Sequence, residues 1–371
     1  MQKGTHSTKR LPFLFFYVFV FYSSAFGQAP DSLDIMIGQM IMIGLEERQS
    51  VKKGDLLLQA IEDGKVGGVI YFEKNLTKTN TAENLRQLNN TLKYASAIPL
   101  WIAIDEEGGR VNRLKPKYGF VTTKSAQELG KQGVPDSTYA QAKRMAMQLR
   151  ELGFNLNFAP SVDVAVNPDN PVIVKLGRSF SSNADSVALH AAAFIKAHQE
   201  EGIVTSIKHF PGHGSSSKDT HSSMADVSNS WQFDEIRPFK LLIDEGRLDA
   251  VMSAHIVNAH LDPDSLPATL SKKIVQNILR DFIGFDGVVF SDDMQMHAIS
   301  KHYGMDKAIE LAINAGVDML LICNNVGQTE RYSADQIHKI IRGKVESGEI
   351  PKERIKQSYD RIVKLKRARG Y

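Results

Sequence analysis

The chain has 371 residues, 42% of them hydrophobic and 23% charged, with 27 Gly and 13 Pro; these are the proportions of globular domains and exclude collagen, coiled coil and disordered chains. Lys and Arg number 45 against 42 Asp and Glu. The excess is accounted for by Lys3, Lys9 and Arg10 at the N-terminus, so the rest is balanced and binding of nucleic acid through a broad basic field is excluded. The single cysteine, Cys323, excludes an intrachain disulfide and any Cys-rich zinc site.

The first element in chain order is an address. Cationic residues 1–10 precede the apolar run LPFLFFYVFVFY at 11–22, and Ser23, Ser24, Ala25, Phe26 and Gly27 follow. This is the three-part pattern of a secretory signal peptide over 1–27, with small residues Ala25 and Gly27 at the −3 and −1 positions. The run is shorter than the ~20 residues that span a bilayer, and no Cys follows it, so a bacterial lipid anchor is not expected. The expectation is an exported protein, periplasmic or secreted, without a stable membrane partner after cleavage. An uncleaved anchor is the alternative reading.

Residues 28–371 read as one domain. Short apolar runs recur at 65–72, 100–105, 154–160, 203–210, 250–256, 287–293 and 318–323. Several lack alternation, as parallel strands buried on both faces do. Amphipathic helical patterns lie between them, at 138–152, 185–201 and 304–315. Gly64, Gly153, Gly202, Gly246, Gly284 and Gly316 each precede a strand by a few residues, as helix C-caps do. Alternating β and α at this spacing predicts an α/β fold with a parallel sheet. Asp105, Lys208, His209, His255, Asp292 and Asp293 fall at strand C-terminal ends spread along the chain. A (β/α)8 TIM-barrel-like domain gathers such ends at one mouth, whereas an open sheet does not. Seven strands are evident, so one is degenerate or missed. The tail from about 333 to 369 reads as two helices. Its basic residues Lys352, Arg354, Lys356, Arg361, Lys364, Lys366, Arg367 and Arg369 read as a solvated face, and Cys323 in MLLIC reads as a buried inert thiol.

The densest polar stretch is 206–223, SIKHFPGHGSSSKDTHSS. Pro211, Gly212 and Gly214 keep it from being helix, so it is a loop leaving a strand end, and the segment 212–223 is expected to pack loosely. Its histidines match no familiar metal-ligand spacing, so no metal is expected. In Asp219-Thr220-His221 the carboxylate can accept the Nδ1 proton and orient the ring, leaving the other nitrogen to exchange a proton near neutral pH. Chemistry at an anomeric carbon needs a second carboxylate, and Asp292 supplies one from a strand end. Asp293 beside it is expected to point elsewhere, since neighbouring strand residues face opposite ways. Ser291 is not in a G-x-S-x-G elbow, which disfavours a serine hydrolase.

IDEEGGRVNR (104–113), LGRSF (176–180), KHFPGHG (208–214) with Asp-x-His after it, and FDGVVFSDDMQM (285–296) resemble glycoside hydrolase family 3. They are most similar to its single-domain β-N-acetylglucosaminidase (β-hexosaminidase) branch, in the family's order over about residues 35–325. The resemblance implies that Asp292 is the nucleophile, His221 the general acid/base and Asp219 its partner. It implies that Asp105, Arg113, Arg178, Lys208 and His209 grip the terminal sugar. The implied activity is a retaining exo-β-N-acetylglucosaminidase, without metal or organic cofactor, acting on a carbohydrate partner: peptidoglycan fragments or chitooligosaccharides. The family's two-domain β-glucosidases place the acid/base on a second domain, a pattern this chain does not follow. The alternatives are a family phosphorylase, a β-glucosidase, and a catalytically silent muropeptide-binding protein.

Overall fold

The computed structural model describes residues 32–220, 223–325, 327 and 329–371, together with Met1, Gln2 and Gly4. The expected signal peptide at 1–27 therefore lies, apart from three residues, outside the described set. Among the described residues no helix is long and apolar enough to cross a membrane.

Eight parallel strands close into a barrel: β1 (Ile41–Gly44), β2 (Gly68–Tyr71), β3 (Trp101–Ile104), β4 (Leu156–Asn157), β5 (Val204–Phe210), β6 (Ala250–Ser253), β7 (Val288–Asp293) and β8 (Met319–Ile322). Each pairs with its neighbours in sequence, and β1 pairs with β8 to close the ring. Seven of the eight coincide with the apolar runs. The missed strand is β1. It follows directly on the helix Ser32–Gln39, so helix and strand share one apolar stretch, IMIGQMIMIGL, broken by Gln39 alone, in which neither period is visible.

All residues of β1, β2, β3, β6 and β8 are buried, which is why these segments do not alternate in sequence. Phe158, just after β4, and Phe290 of β7 meet edge to face at 5.1 Å. Their strands are three places apart around the ring, so this contact crosses the barrel interior, which is packed core rather than a channel. The helices begin where side chains can satisfy free amides. Asn183 accepts from Ser186 N at the start of Ala184–Gln199, and Ser333 and Gln336 form a capping box at Ala334–Glu346. They end as the glycine pattern predicts: the six glycines before strands all have positive φ, from 66° to 117°.

The C-terminal helix Lys352–Ala368 closes the end of the barrel where the strands begin. Here the solvated-face reading fails for half of the basic residues. Arg354 and Arg361 reach the fully buried Asp318, just before β8, at 3.0 and 3.5 Å. Arg369 binds Asp249 before β6 at 2.6 Å. The buried Lys366 donates to Gln39 Oε1 at 2.7 Å and lies over the Trp101 ring at the start of β3; burial pushes its pKa down to about 7. The 3.6-residue period places charges on a helix face but does not say which acids the tertiary fold brings to meet them.

Asp318 is the hub of this closure. It also takes Arg280 at 2.6 Å, the Ser358 hydroxyl at 2.8 Å and the Val289 amide at 3.0 Å. Asp318→Ala leaves Arg280 and Arg354 without a carboxylate while Arg361 keeps Asp286, and removing one partner from a buried ion pair costs about 3–5 kcal/mol. The expected outcome is a large drop in the urea midpoint, with unchanged turnover per folded molecule, because Asp318 lies at the end opposite the strand C-termini. A fall in turnover at full folding would show that the two ends are coupled.

Candidate active site

The C-terminal strand ends surround a cavity of about 290 Å3 lined by Asp105, Arg113, Arg178, Lys208, His209, Asp219 and Asp292. Every described residue of the predicted site is brought together here. His221 lies outside the described residues.

The loop after β3 explains the spacing of IDEEGGRVNR. Asp105 and Glu107 face the site cations, and Glu106 between them turns the other way. The Glu106 carboxyl accepts the amides of Arg113 at 2.8 Å and Leu114 at 3.2 Å, which ties the loop back on itself. Burial, opposed by these bonds, pushes its pKa up to about 7. Gly108 and Gly109 make the return with φ of +95° and +60°, where a side chain is strained. Arg113 thereby arrives beside Asp105, with Nη2 at 3.2 Å from Oδ2.

Lys208, at the end of β5, is 3% exposed and lies between two carboxylates, 2.7 Å from Asp105 and 2.8 Å from Glu107. Arg178 grips Glu107 with both Nε and Nη2, at 2.9 and 2.8 Å, and donates to the Val172 carbonyl at 3.0 Å. Burial by itself raises a carboxyl pKa. Here Arg178 and Lys208 outweigh burial and hold Glu107 at about 2, and Lys208 and Arg113 likewise hold Asp105 below its usual range. Against the cost of its own burial, the two carboxylates raise the Lys208 pKa.

His209 is oriented by a residue the sequence reading passed over. Asp163, after β4, is fully buried and lies 2.7 Å from His209 Nδ1. An ionised carboxylate only accepts, so Nδ1 carries the proton. Nε2 then accepts from Arg178 Nη2, 3.3 Å away. The other Asp163 oxygen accepts the amides of His209 and His213 at 3.2 and 2.7 Å. Against burial, the neighbouring histidines and these bonds hold Asp163 well below the usual carboxylate range. Glu107 and Asp163 were both missed. Glu107 stands in the recognised motif but two residues past the strand-end position, and Asp163 stands in APSVDV with nothing in the sequence to pair it with His209, 46 residues on.

The loop after β5 is not loose from its start. Residues 211–216 are buried. Gly214 lies against the Val164 carbonyl, where a Cβ would come within 1.6 Å. Asn170 donates to the His213 carbonyl at 2.7 Å, and Ser215 N donates to Glu235 at 3.0 Å. Only Ser217 and Lys218 emerge into solvent before the half-buried Asp219 and buried Thr220. Small residues that read as flexible are here the ones that permit close backbone approach.

Asp292 extends from β7 into the cavity, and its Oδ1 accepts the Asp293 amide at 2.8 Å. Asp293 does not face wholly away as expected of a neighbour: it too lines the cavity, while its Oδ1 accepts the amides of Gln295 and Cys323 at 3.1 and 3.2 Å. The Cys323 thiol is buried in the wall; burial and nearby carboxylates push its pKa well up, so it stays protonated. Among the described residues, no group of three His, Cys, Asp or Glu side chains is placed to hold a metal ion. The arrangement presents a carboxylate on a rigid strand end to a floor of fixed donors and acceptors, with a second carboxylate, Asp219, on a loop at the wall. It can bind a polyhydroxylated ring and attack it.

Glu107→Gln tests the floor. It leaves Arg178 and Lys208 to share Asp105, and losing a charge-assisted bond costs about 1.5–3 kcal/mol. kcat/KM should fall roughly 10- to 150-fold, equally for every aglycone. The folded pKa of Glu107 is depressed from 4.5 to about 2. Its stabilisation is therefore complete above pH 4.5 and is lost as pH falls toward 2. The Tm difference between wild type and variant should shrink over that window; a difference independent of pH would show that the charge is not what matters.

The glycosyl hydrolase family 3 N-terminal domain model matches residues 32–365. A β-hexosaminidase of Tolumonas auensis is 36% identical over 70% of this chain and 76% of its own length. β-Hexosaminidase A of Pseudoalteromonas piscicida is 32% identical over 91% of this chain, which spans 62% of that longer protein. Among solved structures, a family 3 β-N-acetylglucosaminidase from a Paenibacillus species superposes with a TM-score of 0.83 at 34% identity, covering 92% of this chain and 63% of its own. A β-N-acetylhexosaminidase from Beutenbergia cavernae superposes with a TM-score of 0.81 at 28% identity, covering 93% of this chain and 100% of its own. With the barrel, the strand-end carboxylate and the charged floor in place, these similarities show that the chain belongs to glycosyl hydrolase family 3, alongside its β-hexosaminidases, and is a glycoside hydrolase.

Proposed function

We propose that the protein is a retaining exo-β-N-acetylglucosaminidase that removes terminal N-acetylglucosamine from peptidoglycan fragments or chitooligosaccharides. The observation that carries this reading is the juxtaposition of Asp292 with the closed, charge-paired floor of Asp105, Lys208, Glu107 and Arg178 in one cavity. A volume of about 290 Å3 is at the low end for ligand pockets and suits one sugar at a chain end. The names of the relatives supply the N-acetyl preference.

Asp292 attacks the anomeric carbon. His221 gives its proton to the departing oxygen and then takes one from water. Asp219 orients that imidazole. Two inversions give net retention. Hydrolysis is favoured over phosphorolysis by charge. On and behind the cavity wall, Arg113, Arg178 and Lys208 face Asp105, Glu107, Asp219, Asp292 and Asp293, and this anionic excess repels phosphate. The export pattern at 1–27 supports a periplasmic or secreted location for this activity, on wall fragments.

Two measurements test the chemistry. Asp292→Ala should abolish turnover with the fold intact, and azide should restore activity on nitrophenyl N-acetyl-β-glucosaminide with product of the opposite anomer. Preference for the plain β-glucoside, or product release that requires phosphate, would overturn the substrate or the reaction. His221→Ala should lose about 10²–10⁴-fold on a disaccharide but far less in the first step on the aryl glycoside, whose leaving group needs no proton. An unchanged disaccharide-to-aryl ratio would remove His221 from the acid role.

A further inference from the structure

The serine and the second aspartate of SDD have no part in the chemistry above, yet both are buried, and Asp293 lines the cavity. The pairing of β7 with β8 shows what they do. Met319 pairs with Phe290 and Leu321 pairs with Asp293, so the register shifts by one between them. Strand β7 therefore carries one extra residue over Ser291–Asp292, a bulge that re-aims a side chain. Two amides, one in β8 and one just past it, are met by side chains: Leu321 N donates to Ser291 Oγ at 2.9 Å, and Cys323 N donates to Asp293 Oδ1 at 3.2 Å. Met294 N returns to the Leu321 carbonyl at 2.9 Å beyond the bulge.

The opposite side of the same backbone is held from β6. His255, fully buried, places Nε2 2.9 Å from the Asp293 carbonyl and Nδ1 2.9 Å from Thr269 Oγ1. A carbonyl only accepts, so Nε2 carries the proton, and the Thr269 hydroxyl sets the ring from behind. Thr269 Oγ1 is itself 2.8 Å from Ser253 Oγ at the end of β6. The Asp293 amide donates to Asp292 Oδ1. Residue 293 is thus fixed through its side chain to β8 and through its carbonyl to the β6 loop, while its amide sets the rotation of the Asp292 carboxylate.

We propose that Ser291, Asp293 and His255 are positioning residues that pin a β-bulge in β7 and so hold Asp292 in line with the anomeric carbon. The inference rests on Asp292 being the nucleophile. At Asp293 Oδ1 it requires hydrogen-bond acceptance rather than charge, because the donors to that oxygen are the Gln295 and Cys323 amides. It also leaves the sugar-binding floor alone, since Asp105, Lys208, Glu107 and Arg178 stand on other elements.

The experiment compares Asp292→Ala, Asp293→Ala, Asp293→Asn and His255→Leu by single-turnover glycosylation with nitrophenyl N-acetyl-β-glucosaminide. Affinity for free N-acetylglucosamine and the Tm are measured alongside. Misplacement of a reacting group by about 1 Å costs roughly 100-fold. Asp293→Ala should lose rate on that scale with unchanged affinity for the sugar. Asp293→Asn, whose amide oxygen accepts the same two bonds, should recover most of the rate. His255→Leu should show the same rate-only loss, and carries the test if Asp293→Ala does not fold. Azide should stimulate Asp292→Ala and not Asp293→Ala. Loss of affinity in place of rate, or Asp293→Asn as slow as Asp293→Ala, would overturn the positioning role while Asp292→Ala stays inactive. Azide rescue of Asp293→Ala with an active Asp292→Ala would instead overturn the nucleophile assignment itself.

Discussion

A lysine ammonium enclosed by protein is costly unless its charge is met, and in this molecule that demand organises the pocket. Lys208, 3% exposed, is met by Asp105 on one side and Glu107 on the other. Glu107, itself 5% exposed, needs more than one hydrogen-bonded cation and takes Arg178 in a bidentate grip. Arg178 then lies against His209, and His209 against Asp163. Each member has been removed from water and is compensated by the next, so none can turn away alone without leaving a buried charge unpaired. The consequence is a floor whose donors and acceptors are held before a substrate arrives, the condition under which such groups discriminate a transition state most strongly.

The barrel divides the remaining work by rigidity. Asp292 stands on a barrel strand paired on both sides, whose register is shifted by a bulge rather than by a flexible turn. Asp219 stands on the loop after β5, beyond the buried anchor of residues 211–216. A nucleophile must meet one carbon atom within a fraction of an ångström. A group that serves first as acid and then as base must follow an oxygen that leaves and a water that arrives. A strand end suits the first task and a loop of limited reach suits the second.

At the other end of the barrel the same electrostatic logic serves stability. The C-terminal helix turns Arg354, Arg361 and Lys366, and the residue that caps it, Arg369, inward onto groups next to the strand N-termini. This end carries none of the charged residues that line the cavity, so its buried ion pairs can be optimised for closure alone. The two ends are insulated by a packed interior, represented by the edge-to-face contact of Phe158 and Phe290 across the ring.

The sequence by itself determined the class of fold, because buried parallel strands leave unalternated apolar runs and helix ends leave glycines, and both are local signals. It also determined which strand ends carry Asp105, Lys208, His209 and Asp292, since a polar residue that interrupts an apolar run is conspicuous along the chain. It could not show β1, where helix and strand merge in one apolar stretch. Nor could it show Glu107, Asp163 or Asp318 as organisers, because each acts on a partner far along the chain or on several at once, and burial decides their charge. Whether a basic residue on the C-terminal helix meets water or an aspartate, and whether Gly214 is a hinge or a point of close packing, depends on what the closed barrel brings against it. Those answers belong to tertiary structure, since only there do distance and desolvation acquire values.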